Sequence, residues 1–211
     1  MKEMITKRIE RTKVIAVVDG IYGEACLMLA KALHNGGVEL LELVLHEDNH
    51  QQVCSTIQEL RRGLGTSMAI GIGNVLSICE VHTAKDCGAG FVSSYITDKD
   101  VIHAANELDL VMIPGALTPT EIVFAHRAGA DFVKVFPTGS MGPAYFKDIR
   151  PAIKNIPILA HGGITRPNVR LYEHAGAVGI FTDDCLFTQE MVANEDWLQI
   201  TNTTKTFINT L

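Results

Sequence analysis

The repeating unit of this sequence is clearest in Ala128-Gly129-Ala130-Asp131-Phe132-Val133-Lys134-Val135-Phe136. A glycine that can end a helix is followed at once by a short apolar run, which is typical of a buried β-strand. The same phrase occurs at Cys87-Gly88-Ala89-Gly90 and at Ala175-Gly176-Ala177-Val178. Each occurrence predicts a helix that ends at the glycine and leads into the next strand of a parallel sheet.

Eight such pairs of a strand and a following helix can be placed along the chain. Apolar strands that alternate with helices indicate a parallel sheet covered by helices. Eight units favour a closed (β/α)8 TIM barrel over an open doubly wound sheet. In chain order the predicted elements are strand 14–18, helix 23–35, strand 40–45, helix 48–62, strand 68–73, helix 75–87, strand 90–94, helix 98–107, strand 110–113, helix 119–128, strand 132–136, helix 143–153, strand 157–160, helix 167–175, strand 178–181 and helix 188–208. The start of the helix at 119–128 is marked by Thr118-Pro119-Thr120-Glu121, a capping-box pattern.

The composition agrees with one barrel domain spanning residues 1–211. Hydrophobic residues make up 47% of the chain and charged residues 20%, which excludes disordered and low-complexity classes. A net charge of −6 and 6% aromatic residues disfavour a nucleic acid or an anionic membrane as partner. We expect a cytoplasmic protein, because no secretion signal or run of about 20 apolar residues is present. The five cysteines lack C-x-x-C spacing, and four are expected to be buried free thiols.

Lys134 is the residue that points most directly to chemistry. Side chains alternate along a strand, so Phe132, Lys134 and Phe136 share one face. Both faces of a barrel strand are covered, and loss of hydration lowers the pKa of a lysine. A neutral lysine amine can attack a carbonyl carbon to form a Schiff base. A lysine ion-paired at the barrel mouth for structural reasons remains the alternative.

Glu42 interrupts another aliphatic strand, Leu40-Leu41-Glu42-Leu43-Val44. Opposite charges on two barrel strands predict an internal pair with Lys134. Such a pair stabilises poorly compared with apolar packing. A lysine that holds a carbonyl carbon and a carboxylate that moves protons are also the minimal equipment for imine chemistry.

Other polar motifs carry weaker signals. His161-Gly162-Gly163-Ile164 follows the seventh strand, where backbone amides of a barrel often cradle a phosphate, although many such turns are only turns. Gly71-x-Gly73 lacks the third glycine of a dinucleotide fingerprint, so a Rossmann site is rejected. His46-x-Asp48-x-His50 lacks a convincing third ligand, and no metal site is expected.

Taken in order, the motifs resemble the class I 2-keto-3-deoxy-6-phosphogluconate and 4-hydroxy-2-oxoglutarate (KDPG/KHG) aldolases over about residues 12–186. The resemblance rests on seven stretches, which are Val14-Ile15-Ala16-Val17, Gly36-Gly37-Val38-Glu39-Leu40-Leu41-Glu42-Leu43, Ile72-Gly73-Asn74-Val75-Leu76, Ile113-Pro114-Gly115-Ala116-Leu117-Thr118-Pro119-Thr120-Glu121, Val133-Lys134-Val135-Phe136-Pro137, the segment from Gly142-Pro143 through Arg150, and His161-Gly162-Gly163-Ile164.

The resemblance implies a TIM barrel, usually a homotrimer, that cleaves a 2-keto-3-deoxy acid to pyruvate and an aldehyde. It assigns Lys134 as the Schiff-base lysine and Glu42 as the general acid/base, with neither cofactor nor metal. His46 and Asn74 are expected to hold the substrate carboxylate. The remaining predicted substrate contacts are Asp19, Pro114, His161, Gly162, Gly163, Asp183 and Asp184.

Several departures from the family pattern concern the substrate. The family usually has Arg at the positions of Asp19 and His46, and Thr at those of Asn74 and His161. After the last strand, Phe181-Thr182-Asp183-Asp184 replaces a Gly-x-Gly-Ser phosphate loop. Carboxylates there oppose a phosphate, so we expect a non-phosphorylated substrate, unless these aspartates face solvent or cap the next helix.

Two other functions stay open at this point. A barrel paralogue that lost or altered the aldolase activity and acts as a binding protein would explain the departures, although retention of Lys134 and Glu42 argues against it. An epimerase or isomerase would need a second acid/base opposite Glu42 and a grip on phosphate, and neither is evident.

Overall fold

The computed structural model describes residues 1–182 and 184–211, so the predicted substrate contact at Asp183 lies outside the described residues. In these residues nine parallel strands form one sheet, and some of them, such as Val14-Ile15-Ala16-Val17-Val18, are rich in the β-branched residues that suit a pleated, covered surface. The strands are β1 Val14–Val18, β2 Leu40–Val44, β3 Ala69–Gly73, β4 Phe91–Ser93, β5 Val111–Ile113, β6 Gly115–Ala116, β7 Val133–Val135, β8 Ile158–His161 and β9 Gly179–Thr182.

The sheet closes on itself at Pro114. Its strand order is β5-β4-β3-β2-β1-β9-β8-β7-β6, and only Pro114 separates β5 from β6 along the chain. Proline has no N–H to donate to the hydrogen bonds between strands, so it interrupts what would otherwise be one barrel strand. The part before it, β5, pairs with β4, and the part after it, β6, pairs with β7. When β5 and β6 are counted as one interrupted strand, the described residues form an eight-stranded barrel, and the predicted (β/α)8 fold is confirmed.

Helices cover the outside of the barrel between successive strands. In residues 1–182 and 184–211, none of them combines the length and the apolar character that crossing a bilayer requires. The predicted last helix over 188–208 is divided in two, because Glu195 takes a left-handed backbone with φ of 57°. The helices are α1 Lys2–Thr12, α2 Gly23–Asn35, α3 His50–Leu64, α4 Ile78–Cys87, α5 Lys99–Glu107, α6 Pro119–Arg127, α7 Gly142–Ile149, α8 Val169–His174, α9 Gln189–Ala193 and α10 Trp197–Ile208.

The predicted capping box and the three predicted glycine helix ends are confirmed. The Thr118 hydroxyl accepts a hydrogen bond from the Glu121 N–H at 3.3 Å, and the Glu121 carboxylate accepts one from the Thr118 N–H at 2.7 Å. The glycines of the repeated phrase, Gly88, Gly129 and Gly176, have φ of 91°, 105° and 101°. This left-handed conformation ends each helix at little cost only in glycine.

The N-terminal helix α1 is an element that the sequence reading missed. Ile5 and Ile9 on α1 are buried in the barrel's interior cluster, at the end where the strands begin. Arg8 binds the backbone carbonyl of Ser67 at 3.2 Å, just before β3, and Lys2 lies 2.9 Å from Asp131, just before β7. Helix α1 thus closes the N-terminal end of the barrel.

The barrel strands carry two apolar faces, as the alternation of side chains requires. One face packs on the helices, and the other fills the interior. The interior cluster consists of Ile5, Ile9, Ile15, Val17, Leu40, Val44, Ala69, Phe91, Val111, Ile113, Phe132, Leu159 and Phe181.

The expectation of free thiols is wrong for Cys54 and Cys87. The structure joins them as a disulfide between α3 and α4, 33 residues apart along the chain. Their spacing carries no signal because the pairing arises from two helices that become neighbours only in the barrel. Among the described residues, Cys26, Cys79 and Cys185 take no part in a disulfide.

Candidate active site

Lys134 lies at the centre of the barrel and is fully buried. It occupies the middle position of β7, and its side chain points inward as the alternation predicted. Its Nζ donates a hydrogen bond to the Ser93 hydroxyl at 2.9 Å. The same Nζ lies 4.3 Å from the ring centroid of Tyr95 and 4.9 Å from that of Phe181. Two aromatic faces and one hydroxyl are therefore the immediate surroundings of this amine.

Burial moves both ionisable groups toward their neutral forms. It lowers the pKa of Lys134 from 10.5 to about 8, although the Glu42 carboxylate acts in the opposite direction. It raises the pKa of the Glu42 carboxyl, although the Lys134 charge and a hydrogen bond with Ser93 oppose this. Desolvation thus outweighs the attraction between the two groups. With this pKa, about one-tenth of Lys134 is a free amine at pH 7, far more than for an ordinary lysine.

Glu42 occupies space that a glycine provides. It lies on β2, opposite the inward face of β3, and is 1% exposed. A Cβ on Gly73 would come within 2.2 Å of the Glu42 Oε1 atom, so the carboxylate fits only beside a residue without a side chain. In the described part of the chain, the Glu42 Oε2 atom is buried without a hydrogen-bond partner. An unsatisfied buried oxygen of this kind is available to a substrate or a water.

Ser93 connects the two ionisable groups, and the sequence reading missed it. Lys134 and Glu42, both described residues, do not form the direct ion pair within 4.0 Å that the sequence suggested. The Ser93 hydroxyl accepts from Lys134 and also hydrogen-bonds Glu42. A hydroxyl can accept and donate at once, so it links amine and carboxylate while holding them apart. The sequence does contain a signal for Ser93: it lies two positions after Phe91 on the same strand, so both side chains face the barrel interior.

His161 is the third polar side chain inside the barrel. It ends β8, is 4% exposed, and stacks on Phe181 with ring centroids 5.2 Å apart. Burial, and secondarily the charge of Lys134, lowers the pKa of its imidazole to about 3. The ring is therefore neutral at physiological pH.

Aromatic rings line the chamber beside these polar groups. Tyr95 and Phe136 lie with centroids 4.6 Å apart, and each contacts the His161 ring, at 5.7 and 5.2 Å. Both also line a groove of about 450 Å³ that runs outward past Ile96 and Phe124. The sequence reading placed Phe136 on the Lys134 face but did not single out Tyr95, which lies in the loop after β4.

Three predicted substrate contacts lie at the rim where the strands end. The His46 Nε2 atom is 2.8 Å from the Asp19 carboxylate, and both side chains are about half exposed (46% and 54%). The Asn74 amide donates to the Leu45 carbonyl at 2.8 Å, and Asn74 has φ of 61°. The rim after β1, β2 and β3 is thus tied together above Glu42, with Asp19 and His46 paired to each other.

The Gly162-Gly163 turn packs backbone against backbone. Both residues have positive φ, 94° and 69°. A Cβ on Gly163 would meet the Gly139 Cα at 2.6 Å, so the loops after β7 and β8 approach closely only with glycine. The Thr138 hydroxyl lies 2.7 Å from the Gly162 carbonyl oxygen and supports the turn. Within the described residues, neither Gly162 nor Gly163 uses its N–H in a hydrogen bond.

The remaining predicted contacts are less central. The Pro114 carbonyl accepts the Lys134 backbone N–H at 2.8 Å, so Pro114 borders the lysine through its backbone. Asp184 is exposed in the turn after β9. A cavity of about 650 Å³ lies on the outside of the barrel beside Cys185, Trp197 and Asn202, and neither Lys134 nor Glu42 lines it. No group of three or more potential metal ligands occurs in residues 1–182 and 184–211.

The arrangement supports imine chemistry. A desolvated amine with a pKa near neutrality is a nucleophile for a ketone. A neighbouring carboxyl with a raised pKa and an unpaired oxygen can accept and return a proton. Both side chains lie next to Ser93 and Gly73, which end their strands on the carboxyl-terminal side of the barrel, where the active sites of this fold are built.

Known proteins with this fold are similar along most of the chain. Residues 5–203 match the family model described as KDPG and KHG aldolase. The 2-dehydro-3-deoxy-6-phosphogalactonate aldolase of Escherichia coli strain K12 is 28% identical over 166 residues, which cover 78% of this chain and 80% of that protein.

Solved structures agree with this similarity. The "Native KDPGal structure" superposes with a TM-score of 0.84 at 25% identity and covers 93% of both chains. A KDPG aldolase from Legionella pneumophila, with pyruvate captured as a covalent carbinolamine, has a TM-score of 0.82 at 23% identity. It covers 95% of this chain and 96% of that one, and at this identity it supports the fold alone.

Proposed function

Because the chain belongs to the KDPG and KHG aldolase family, we propose that it cleaves a 2-keto-3-deoxy acid to pyruvate and an aldehyde through a Schiff base on Lys134. Membership makes the protein a lyase that breaks a carbon–carbon bond. The observation that carries the assignment to Lys134 is its complete burial beside Ser93 and Glu42, with a pKa of about 8.

In the proposed mechanism, the Lys134 amine attacks the C2 ketone, and the resulting carbinolamine loses water to give a protonated imine. Glu42 accepts the proton of the C4 hydroxyl. The C3–C4 bond then breaks, its electron pair enters the imine to form an enamine, and C4 leaves as an aldehyde. Glu42 returns a proton to C3, and water releases pyruvate and restores the amine.

The other contacts follow from this placement of the substrate. We assign His46 and Asn74, at the rim above Glu42, to the substrate carboxylate, with the Asp19 carboxylate orienting the His46 ring at 2.8 Å. Because His46 offers no bidentate fork, this grip is weaker than an arginine would provide. Pro114 borders the imine carbon from β5–β6.

The distal end of the substrate is assigned to the opposite side of the rim. We assign His161 and the N–H groups of Gly162 and Gly163 to this end. The neutral His161 supports a non-phosphorylated substrate, because it offers no positive charge to a phosphate. The E. coli relative is named for a phosphorylated one, so a difference in preference is expected between the two proteins.

Borohydride reduction in the presence of pyruvate tests the mechanism. We expect a stable mass increase of one reduced pyruvate per chain. Lys134→Ala abolishes it, whereas replacement of the exposed Lys154 leaves it intact. No adduct on the wild-type protein would disprove the Schiff base. Substrate preference is read separately, from kcat/KM for phosphorylated and dephosphorylated 2-keto-3-deoxy acids. A higher kcat/KM for the phosphorylated acid would contradict the proposed preference for a non-phosphorylated substrate.

We also propose a cytoplasmic homotrimer. Ile96 and Phe124, about half exposed beside the mouth, support contact with another copy. Sedimentation equilibrium tests the number of subunits. Thiol trapping in fresh lysate tests the location, because a reducing cytoplasm would keep Cys54 and Cys87 as thiols in the cell. No observation in the described residues favours a non-catalytic binding paralogue.

A further inference from the structure

The Lys134 Nζ atom carries its charge without a counter-ion in direct contact. Among the described residues, no carboxylate oxygen lies within 4.0 Å of it, and its hydrogen bond goes to the neutral hydroxyl of Ser93 at 2.9 Å. Its other neighbours are ring faces, with the centroids of Tyr95 at 4.3 Å and Phe181 at 4.9 Å. An aromatic face is electron-rich and attracts a cation within about 6 Å of its centroid.

The two rings are held in place by neighbouring aromatic side chains. Tyr95 and Phe181 both stack on the His161 ring, with interplanar angles of 25° and 28°. Phe136 tilts against Tyr95 with centroids 4.6 Å apart, and Phe181 is fully buried on β9. The faces therefore point at the Lys134 nitrogen before any substrate arrives, and no reorganisation is needed to stabilise charge there.

The same nitrogen carries the charge of the reaction intermediate. An imine accepts the electron pair of a breaking bond only when its nitrogen is protonated. The chamber disfavours every charged form by desolvation, and this lowers the pKa of Lys134 from 10.5 to about 8. An imine formed on Lys134 meets the same desolvation and must still keep its proton.

We propose that the faces of Tyr95 and Phe181 hold the positive charge of the protonated imine on Lys134 and so keep this imine reactive in a dry chamber. This inference rests on the proposed function and adds two catalytic residues to it, because both rings contact the reacting nitrogen. When Glu42 removes a proton from C3, the C–H electron pair enters the C=N bond and the nitrogen becomes neutral. Protonation at C3 reverses this, and the rings again face a cation.

Fluorinated phenylalanines at position 181 of the full chain test the proposal. Each fluorine withdraws electron density from the ring face and changes its shape little, so a 4-fluoro, 3,5-difluoro and 3,4,5-trifluoro series weakens the attraction stepwise. The readout is exchange of the pyruvate methyl protons with D2O between pH 6 and pH 10. The acid limb of this profile needs the free amine of Lys134, and the alkaline limb needs the protonated imine.

Both limbs should move to lower pH along the series, because ammonium and protonated imine lose the same stabilisation. The ratio of the exchange rate at pH 9 to that at pH 6 should fall by about 3–10-fold from phenylalanine to the trifluoro ring. A variant that is merely distorted would lose rate at every pH without this displacement. Tyr95→Leu, which removes the nearer face, should displace both limbs in the same direction.

The control is the same fluorinated series at Phe146, which is also fully buried but packs edge-on against Tyr172 on the helix side of the sheet. Its pH profile should match that of the unmodified protein. The other ionisable side chains that face the Lys134 amine are Glu42, His161 and the Tyr95 phenol, and fluorination at position 181 replaces none of them.

Three results would overturn the role of the rings. They are limbs that stay in place along the Phe181 series, an equal loss of exchange at all pH values, and an equal displacement by the Phe146 series. A wild-type protein that neither exchanges pyruvate protons nor forms the borohydride adduct would instead refute the proposed function, and with it this role.

Discussion

Replacing Lys134 with Met should remove activity and make the protein more stable. The folded chain holds this amine in a fully buried chamber, where its pKa falls from 10.5 to about 8. That fall corresponds to a cost of ~3 kcal/mol for keeping the lysine protonated in the folded state at neutral pH. Methionine has a similar unbranched shape, carries no charge, and packs well against aromatic rings such as Tyr95 and Phe181.

Two losses oppose this gain. The Lys134 ammonium gives up its contacts with the Tyr95 and Phe181 rings, at 4.3 and 4.9 Å, which are worth ~1–2 kcal/mol together. Glu42 loses the charge that lowers its pKa, so the pKa of its carboxyl rises further. We therefore expect a net increase of ~1–2 kcal/mol in the free energy of unfolding at pH 7.

The pH dependence identifies the cause. Between pH 8 and pH 10.5 the unfolded chain binds a proton at Lys134 that the folded chain does not. The stability of the wild type relative to the variant must then rise with pH across this window. Below pH 8 the full cost is present, and above pH 10.5 it is gone.

Urea denaturation at pH 7 and pH 10 measures this difference. The advantage of Lys134→Met should shrink or reverse at the higher pH. Lys154→Met, at an exposed position, should change stability little at either pH. A variant less stable than wild type at pH 7, or a difference that does not change between the two pH values, would refute the reasoning.

Other predictions concern the same chamber and one helix end. The rate of borohydride trapping with pyruvate should rise with pH to half its maximum near pH 8, and Glu42→Gln should move this midpoint to lower pH because the carboxylate raises the pKa of Lys134. Ser93→Ala should slow cleavage by about tenfold or more in a coupled pyruvate assay, since it removes the hydroxyl that joins amine and carboxylate. Gly73→Ala should also slow cleavage at least tenfold, because its Cβ would lie 2.2 Å from the Glu42 Oε1 atom. Thr118→Ala should lower the free energy of unfolding by about 1 kcal/mol without changing borohydride trapping of pyruvate, because it removes only a helix cap.

The alternation of side chains along single strands was enough to place the two reacting groups. Lys134 and Glu42 each interrupt an apolar strand, and a side chain on such a strand faces either the helices or the interior. Neither charge suits the helix interface, so both were expected inside, where the structure has them. The start of α6 could also be predicted from local sequence, because Thr118 and Glu121 are three residues apart and form the capping box with each other.

What the sequence missed depends on contacts between distant segments. The role of Ser93 depends on the register of β4 between β3 and β5, which brings its hydroxyl to Lys134, 41 residues away. Helix α1 is mostly polar, and only Ile5 and Ile9 face the barrel, too few to stand out as a pattern. The Cys54–Cys87 pair likewise arises from helix packing.

The closure of the barrel by α1 also sets an order of events. With Ile5 and Ile9 filling the N-terminal end, reactants and products pass only through the carboxyl-terminal mouth. In the proposed reaction, pyruvate is attached to Lys134 at the inner end of this passage and the aldehyde lies between it and the solvent. The aldehyde must then depart first, and pyruvate must enter first in the condensation direction. Steady-state kinetics should accordingly follow a compulsory order, with pyruvate binding to the free enzyme.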